Sequence, residues 1–554
     1  MEKSYDKGGT SAYYVLPEEV REYLLGYEDR DVVNMFDPNY GAMVCPPDPW
    51  SKISGGGYIT PRRKAAATLM PLKNIRREHI KVIREQFTAE NMPMIFECAN
   101  YLQSQAYEIH GPTLDLIKRV WFSGGGVLGI PQKTYRPKPE FPFAEDWDKK
   151  EASPEELELF SRWRREAQEW YYGNRQWQSR VRDVGGLIRT SSFYANRPIW
   201  FPVFMDSRGR WYYRGSPNPQ GTQIAKGVLH FHEKKPLGPD GVFWLKVHIA
   251  NSFGYDGTRF VDRAKWTEDN WKAIERALDR PEDFPEVWGD EDPIVMFSAA
   301  YELREAYRSG NPETYKTGVP VHLDATCSGI QHFSALLRDP VGARHVNLYD
   351  TGGETKEDIY QAVASAAYHR LLEQRTHPDE GVRRGSAPWI DLGVPRDLAK
   401  RPVMTYVYGV TLHTTRDYIS DYAYEKYPDQ CKSLDNNHVT TLGRALFSGI
   451  ETALPATVNG MRWLHKVVRE VGREKRLTWT TPTGFIVQHD YQTYEDRRVR
   501  VDSAGIDRVI VREYTDGVRL RGMVNAVSPN FIHALDSSHL TMTALACKKE
   551  GLHF

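Results

Sequence analysis

Apolar and polar positions along the chain fall into runs of helical and alternating period. From about Lys73 to Trp121 apolar residues recur at helical spacing, until Phe122-Ser-Gly-Gly-Gly126 and the proline-rich Pro131 to Pro142 mark a boundary. Glu151 to Thr190 reads as one long helix that opens on Ser153-Pro154-Glu155-Glu156: an N-cap, a proline at the first helical position and acids in the first turn. Phe201 to Leu229 holds two apolar-aromatic strands around a turn at Arg208-Gly209, and the chain is then mainly helical through Ala300. Gly318, Val319 and Pro320 lead into a short apolar segment that reads as a strand ending at Asp324. After five small residues, Ala325 to Gly329, the positions Ile330, Phe333, Leu336 and Leu337 set a helix. Helical patterns follow at Asp350 to Arg375, Arg396 to Gly409, Arg444 to Gly472 and Asn525 to Cys547. Leu477 to Thr480 and Gly484 to Tyr491 alternate as strands, followed by a polar hairpin from Glu495 to Val511. Residues 1 to about 60, with Cys45-Pro46-Pro47-Asp48-Pro49-Trp50 and Ser54-Gly55-Gly56-Gly57, look loop-rich.

At 554 residues the chain is too long for one core, so several subdomains are expected. Lys+Arg and Asp+Glu balance at 73 each, so a nucleic-acid partner has to be argued from local patches. The five cysteines are scattered, without Cys-x-x-Cys or zinc spacing, which fits a reducing compartment. The first residues lack a signal-peptide core and no segment has the apolar length of a membrane span, so a cytoplasmic protein with no membrane partner is expected.

Local chemistry gathers in five places. The Glu151–Thr190 helix carries Arg162, Arg164, Arg165, Arg175, Arg180, Arg182 and Arg189 among Trp163, Trp170, Tyr171, Tyr172 and Trp177. Guanidinium on phosphate and rings on bases would suit nucleic acid, and a solvated face with a tryptophan packing side explains the pattern about as well. Arg208 and Arg210 sit at the tip of a hairpin, either as nucleic-acid contacts or as surface arginines. Asp324 before a small-residue turn is placed to hold a metal ion or to cap the following helix. Arg396, Lys400, Met404 and Tyr408, spaced by four, line one helical face with cations at one end and an aromatic at the other, as a nucleotide requires; a solvated amphipathic helix has the same spacing. Pro402 within that run either kinks the helix or delays its start to Arg401. Gly409 allows close backbone approach, and Arg497, Arg498 and Arg500 sit on a hairpin able to enter a DNA groove or remain in solvent.

Four blocks together resemble the single-subunit DNA-dependent RNA polymerases of the T-odd phage and mitochondrial type: Asp206-x-Arg-Gly-Arg210 with Gln220-Gly and Lys226-Gly, the Asp324 segment, Arg396-x-x-x-Lys400 to Tyr408-Gly409, and Pro529-Asn-Phe-Ile-His533-x-x-Asp536-x-x-His539. The likeness runs from about Cys45 to the end. It implies a mainly helical α+β fold, a right-handed palm, fingers and thumb. The implied division is 1–130 as a remnant N-terminal domain and connector, 131–196 as a thumb-like arm, 197–341 as palm, 342–533 as fingers with a specificity-type hairpin at 477–521, and 534–554 as a truncated return to the palm.

The resemblance also implies the activity, transfer of rNTPs to a growing RNA on a DNA template by two Mg²⁺ ions. It makes Asp324 and the Ala325 carbonyl metal ligands, and Lys400 a candidate general acid. Arg396, Lys265 and Tyr360 join Lys400 in holding the nucleotide, and Tyr408 and His533 sense the ribose 2′-hydroxyl. Arg208, Arg210, Lys226, Gly409, Arg497, Arg498 and Arg500 fall to the nucleic acid. Related DNA polymerases place a glutamate five residues after the metal aspartate and an aromatic at the Met404 position. Gly329 stands at the first of these and is expected to leave room for ribose.

The family's second metal aspartate, in a His-Asp-Ser hairpin, and the last palm strands do not occur after the Pro529–His539 helix. A second polypeptide is the expected source, as in two-polypeptide phage enzymes of the family, and the expected setting is the bacterial host cytoplasm. Most of the N-terminal promoter-binding domain is also missing, which implies a promoter-recruiting or single-strand-binding accessory protein. The competing reading is a truncated fragment that binds template without catalysis.

Overall fold

The computed structural model describes residues 2–5, 12–15, 41–61, 67–72, 77–144, 147–349, 357–431, 433–472, 477–500 and 509–554. In chain order these form β1 (Glu2–Tyr5), β2 (Ala12–Val15), α1 (Arg77–Gln86), α2 (Pro93–Ser104), β3 (Tyr107–Ile109) and α3 (Gly111–Phe122), then the long α4 (Pro154–Tyr194). The hairpin β4 (Val203–Met205) and β5 (Trp211–Tyr213) leads to α5 (Gln223–Val228), β6 (Leu229–Phe231), β7 (Lys235–Pro236), α6 (Gly238–Phe253), α7 (Phe260–Ala277), α8 (Pro293–Arg308) and β8 (Lys316–Thr317). A helical region follows: α9 (Ser328–Leu337), α10 (Pro340–His345), α11 (Ile359–Gln374), α12 (Glu380–Leu392), α13 (Arg396–Tyr406), α14 (Leu412–Lys426), α15 (Asn436–Ala453) and α16 (Pro455–Val471). The chain finishes with β9 (Leu477–Thr480), β10 (Ile486–His489), β11 (Gln492–Arg500), β12 (Val509–Val518) and α17 (Leu520–Lys549). This is the mainly helical α+β architecture expected, and among the described residues no helix is long and apolar enough to cross a membrane.

Apolar side chains gather in three cores. One joins α9 and α11 to α16 with the first half of α17, through Ile330, Phe333, Val363, Trp389, Val403, Leu442 and Ile532. A second joins residues 107–130 to 184–303, and a third joins residues 43–102 to the β4–β5 hairpin, Phe485, Val487, Ala534 and Ala544. Residue 130 is therefore not a boundary between cores, because 107–130 pack with the later helices rather than with 43–102. The 30-residue α17 runs from the first core to the third, and His533 lies between Ile532 of one and Ala534 of the other.

α4 begins where its sequence says: Ser153 and Glu156 form a reciprocal capping box around Pro154. Trp163, Trp170 and Trp177 recur every seven residues and so share a face. Their indole Nε1 groups donate to the carbonyls of Pro139 (3.3 Å), Arg136 (2.8 Å) and Gln132 (2.6 Å), which straps the proline-rich segment antiparallel along the helix. Tyr135 packs between Trp170 and Trp177. The tryptophans are thus packing residues and not stacking platforms for bases, while the seven arginines of this helix all face solvent.

Four expectations change. Val321 to Asp324 joins no ladder among the described residues; β8 ends earlier, at Thr317, and pairs with β7. The alternation is inverted, since Val321 and Leu323 are 40% and 58% exposed while the His322 ring packs against His248 at 5.3 Å. The loop-rich start contains β1 and β2, and β2 pairs with β11 in one four-stranded sheet. The polar hairpin is longer than Glu495–Val511, with β11 and β12 paired from Gln492–Val518 to Val499–Val509. Helix α13 starts at Arg396 rather than Arg401 and continues past the buried Pro402.

Candidate active site

The site is built on the Asp206–Arg210 turn between β4 and β5. Asp206 Oδ1 accepts the backbone N–H groups of Arg208 (2.9 Å) and Arg210 (3.1 Å), and Gly209, at φ +92°, supplies the left-handed residue that the reversal needs. The turn is fastened to α17, where the Ser537 hydroxyl donates to the Gly209 carbonyl and Trp211 Nε1 donates to Thr541 Oγ1 at 2.9 Å. Arg208 and Arg210 are therefore not aimed off the hairpin, although the Arg210 side chain stays 41% exposed. They turn back toward α17, one to His533 and one to Asp536.

Arg208 Nε donates to Asp206 Oδ2 at 2.8 Å while its Nη1 reaches His533 Nδ1 at 2.9 Å. The His533 ring lies 4.9 Å from that of Tyr408, with 35° between their planes. Burial, with the guanidinium groups of Arg210 and Arg208 nearby, lowers the His533 imidazole to about 4, so the ring is neutral at neutral pH. Burial, the Asp536 carboxylate and Cys327 raise the Tyr408 phenol, and Ser328 opposes the shift. Asp536, one helical turn beyond His533, meets His332 Nε2 at 2.9 Å and Arg210 Nη2 at 3.7 Å. Burial raises its carboxyl, but the His332 hydrogen bond and charge, Arg210 and Ser328 together hold it below the usual carboxylate range.

Ser328 opens α9 four residues after Asp324, so the cluster and the Asp324 loop share one short segment. Asp324 is exposed; one oxygen accepts its own neighbour's N–H, that of Ala325, at 2.9 Å, and no ion pair engages it among the described residues. It does not cap α9. The N-cap is Cys327, in the left-handed region at φ 54° and without a side-chain cap bond. Lys226 lies close enough to His322 to depress that ring, after burial, which puts it beside the same segment.

On α13, Arg396 is gripped by Asp358, the N-cap of α11, and its guanidinium lies 5.3 Å over the Tyr360 ring. Tyr360 is 7% exposed, so it supports Arg396 and offers no open face to a nucleotide. Lys400 and Met404 are exposed on α13, and Tyr408 follows two residues past its end. Gly409, at φ +79°, abuts the Asn525 carbonyl, to which a Cβ there would come within 3.3 Å. Pro529, four residues on, cannot donate to that carbonyl, which is why it is left facing Gly409.

Other expected residues are not brought to this cluster. Lys265 is exposed on α7 and paired with Asp269 at 3.0 Å. Arg497 is in mid-strand, paired with Glu513 at 3.0 Å rather than at a tip. Arg498 and Arg500 lie on β11, and their side chains, like residues 501–508, fall outside the described residues. Gly329 leaves no room: a Cβ there would stand 2.7 Å from Val407 Cγ2 and 3.5 Å from Ile532 Cγ2, so the glycine serves helix packing.

Sequence reasoning missed Asp206, Ser328, His332, Asp358 and Asp536 as site residues. The signals were present for two of them: Asp206 begins the Asp-x-Arg-Gly-Arg block and Asp536 follows His533 by one helical turn. Among the described residues the one compact His/Glu grouping is His110, His230 and Glu302, buried and apart from Asp324. Its imidazoles stack at 4.1 Å with 14° between planes, which keeps their lone pairs from converging on one ion.

The profile of the DNA-dependent RNA polymerase family matches residues 235–554. The DNA-directed RNA polymerase of Pseudomonas phage phiKMV is 39% identical over 559 residues, which covers 99% of this chain and 67% of that protein. Mitochondrial DNA-directed RNA polymerase 1 of Arabidopsis thaliana is 30% identical, over 95% of this chain and 52% of its own length. The enzyme of Enterobacteria phage K11 is 28% identical, over 92% and 59%. The chain belongs to the DNA-dependent RNA polymerase family, and it spans between about half and two thirds of these relatives.

Proposed function

We propose that the chain is the nucleotide-binding and catalytic body of a DNA-directed RNA polymerase that adds rNTPs to RNA on a DNA template by a two-metal mechanism. The observation that carries this is the convergence of Asp206–Arg210, Ser328, Tyr408 and His533–Asp536, from four distant segments, with the exposed Asp324 four residues before Ser328 and engaged by no ion pair among the described residues. On this reading the thumb is 131–196, the palm 197–341 and the fingers 342–533, with 534–554 returning to the palm.

Asp324 fits a divalent cation: its carboxylate is exposed, no ion pair engages it among the described residues, and the small Ala325 that follows it is exposed too. A Mg²⁺ ion held by Asp324 and the Ala325 carbonyl would lower the pKa of the primer 3′-hydroxyl and offset charge on the pyrophosphate. Arg396, fixed by Asp358, binds phosphate, and Lys400 is free to donate a proton to the leaving group. Tyr408 and His533 contact the ribose. The solvent-facing arginines of α4 track nucleic acid, and Lys226 follows the template near Asp324. The second metal carboxylate, of the His-Asp-Ser hairpin, is not in residues 1–554, and the proposed chemistry draws it from a continuation or from a partner polypeptide.

Extension of an RNA primer on single-stranded DNA, with a fragment bearing that hairpin added, tests the proposal. The expected result is incorporation of the templated rNTP, abolished by EDTA and restored by Mg²⁺. Template binding without any incorporation would favour a purely binding role.

A further inference from the structure

We propose that Asp206 and Arg208 are positioning residues that hold His533 as the neutral tautomer protonated on Nε2, and so set how strongly the site prefers a ribose bearing a 2′-hydroxyl. The second half rests on the reading of Tyr408 and His533 as the ribose contact.

A guanidinium has five N–H donors and no acceptor. Arg208 Nη1 lies 2.9 Å from His533 Nδ1, so Nδ1 must present its lone pair and the proton of the neutral ring resides on Nε2. The guanidinium has no freedom to turn away. Asp206 Oδ2 binds its Nε at 2.8 Å and its Nη2 as well, while Asp206 Oδ1 closes the turn backbone. Ser537 and Thr541 fasten that turn to the same helix that carries His533.

The groups facing the ring are Arg208 and Arg210 from the turn, Asp206 behind them, Asp536 on its own helix and Tyr408 across from it. A protonated ring would lose the Arg208 bond and meet two cations, which the two carboxylates only partly oppose; with burial this holds the ring neutral down to about 4. Nε2 makes no hydrogen bond to protein among the described residues, so it is a fixed N–H donor. A hydroxyl oxygen satisfies such a donor, and a deoxyribose leaves it unmatched in a half-buried site.

The test uses the whole chain labelled with ¹⁵N-histidine, with the His533 signals assigned by their loss in His533→Gln. The wild type is expected to show a single Nε2–H tautomer from pH 5.5 to 8. In Arg208→Met the tautomers should mix and the ring should titrate within that window, and Arg208→Lys, which restores a charged donor, should bring the wild-type signature back. In hairpin-supplemented extension, Arg208→Met should lower rNTP-over-dNTP preference about tenfold, through rNTP KM more than kcat, and make it pH-dependent. Asp206→Asn, which keeps Arg208 but loosens its grip, should fall between; it gives a second reading if Arg208→Met melts early. An unchanged His533 tautomer and titration in both variants would overturn the proposal. So would an altered tautomer with unchanged preference while His533→Gln loses that preference. If His533→Gln itself keeps the preference, the ribose reading fails and takes the specificity half with it, leaving the tautomer spectra to decide the positioning half.

Discussion

His248 is buried against His322, and neither of its ring nitrogens finds a hydrogen-bond partner among the described residues. Burial lowers it from 6.5 to about 3, so the folded state keeps it neutral while the unfolded chain takes up a proton below about 6.5. Unfolded chains then bind more protons, and stability falls as pH drops from 6.5 toward 3. His248→Leu should raise stability at pH 7 by about 1 kcal/mol, because two unpaired polar atoms leave the interior. It should also flatten the decline in Tm between pH 7 and pH 5; an unchanged acid limb in thermal melts would contradict this. At this scale the sequence named His533, Tyr408, Arg208 and Arg210 but not what they do to one another. Spacing along a chain says nothing of a turn that folds back, so Arg208 and Arg210 read as nucleic-acid contacts or surface groups, and only the Gly209 turn and Ser537 direct them to α17. Gly329 misled for the reverse reason: a small residue marks either open space or close packing, and only Val407 and Ile532 decide which.

The clearest element is α4, whose start, length and charge were all legible because capping and helical periodicity are local properties. Its partner was not, because a strap of prolines has no period. The indole bonds predict that Trp170→Phe, which keeps an aromatic ring but loses the pyrrole ring and its donor to the Arg136 carbonyl, weakens the strap by about 1 kcal/mol or more. Limited proteolysis should then cut faster within 131–142, with the circular dichroism of the helix unchanged; equal cleavage rates would mean that the ring alone holds the strap. The Asp324 strand failed as an expectation for a physical reason too. A strand is defined by its neighbour, and no described segment pairs in a ladder with Val321 to Asp324, whose apolar side chains face outward.

At the scale of the whole molecule, cores do not follow the chain order that sequence boundaries assume. The third core mixes residues 43–102 with 203–211 and 485–544, so cutting the chain at 130 should expose Met92, Ile95 and Phe96 together with Val203 and Phe485. α17 ties that core to the helical one, and the site lies along it, where His533 and Asp536 meet the turn from β4 to β5. Asp324 is the residue proposed to carry the chemistry there. The direct measurement is the single-turnover rate of templated rNTP addition, with Mg²⁺ and the hairpin fragment present, by wild type and by Asp324→Ala. A loss of about 10³-fold or more is expected for Asp324→Ala, with template affinity and Tm unchanged. A variant that adds nucleotides at the wild-type rate would contradict it.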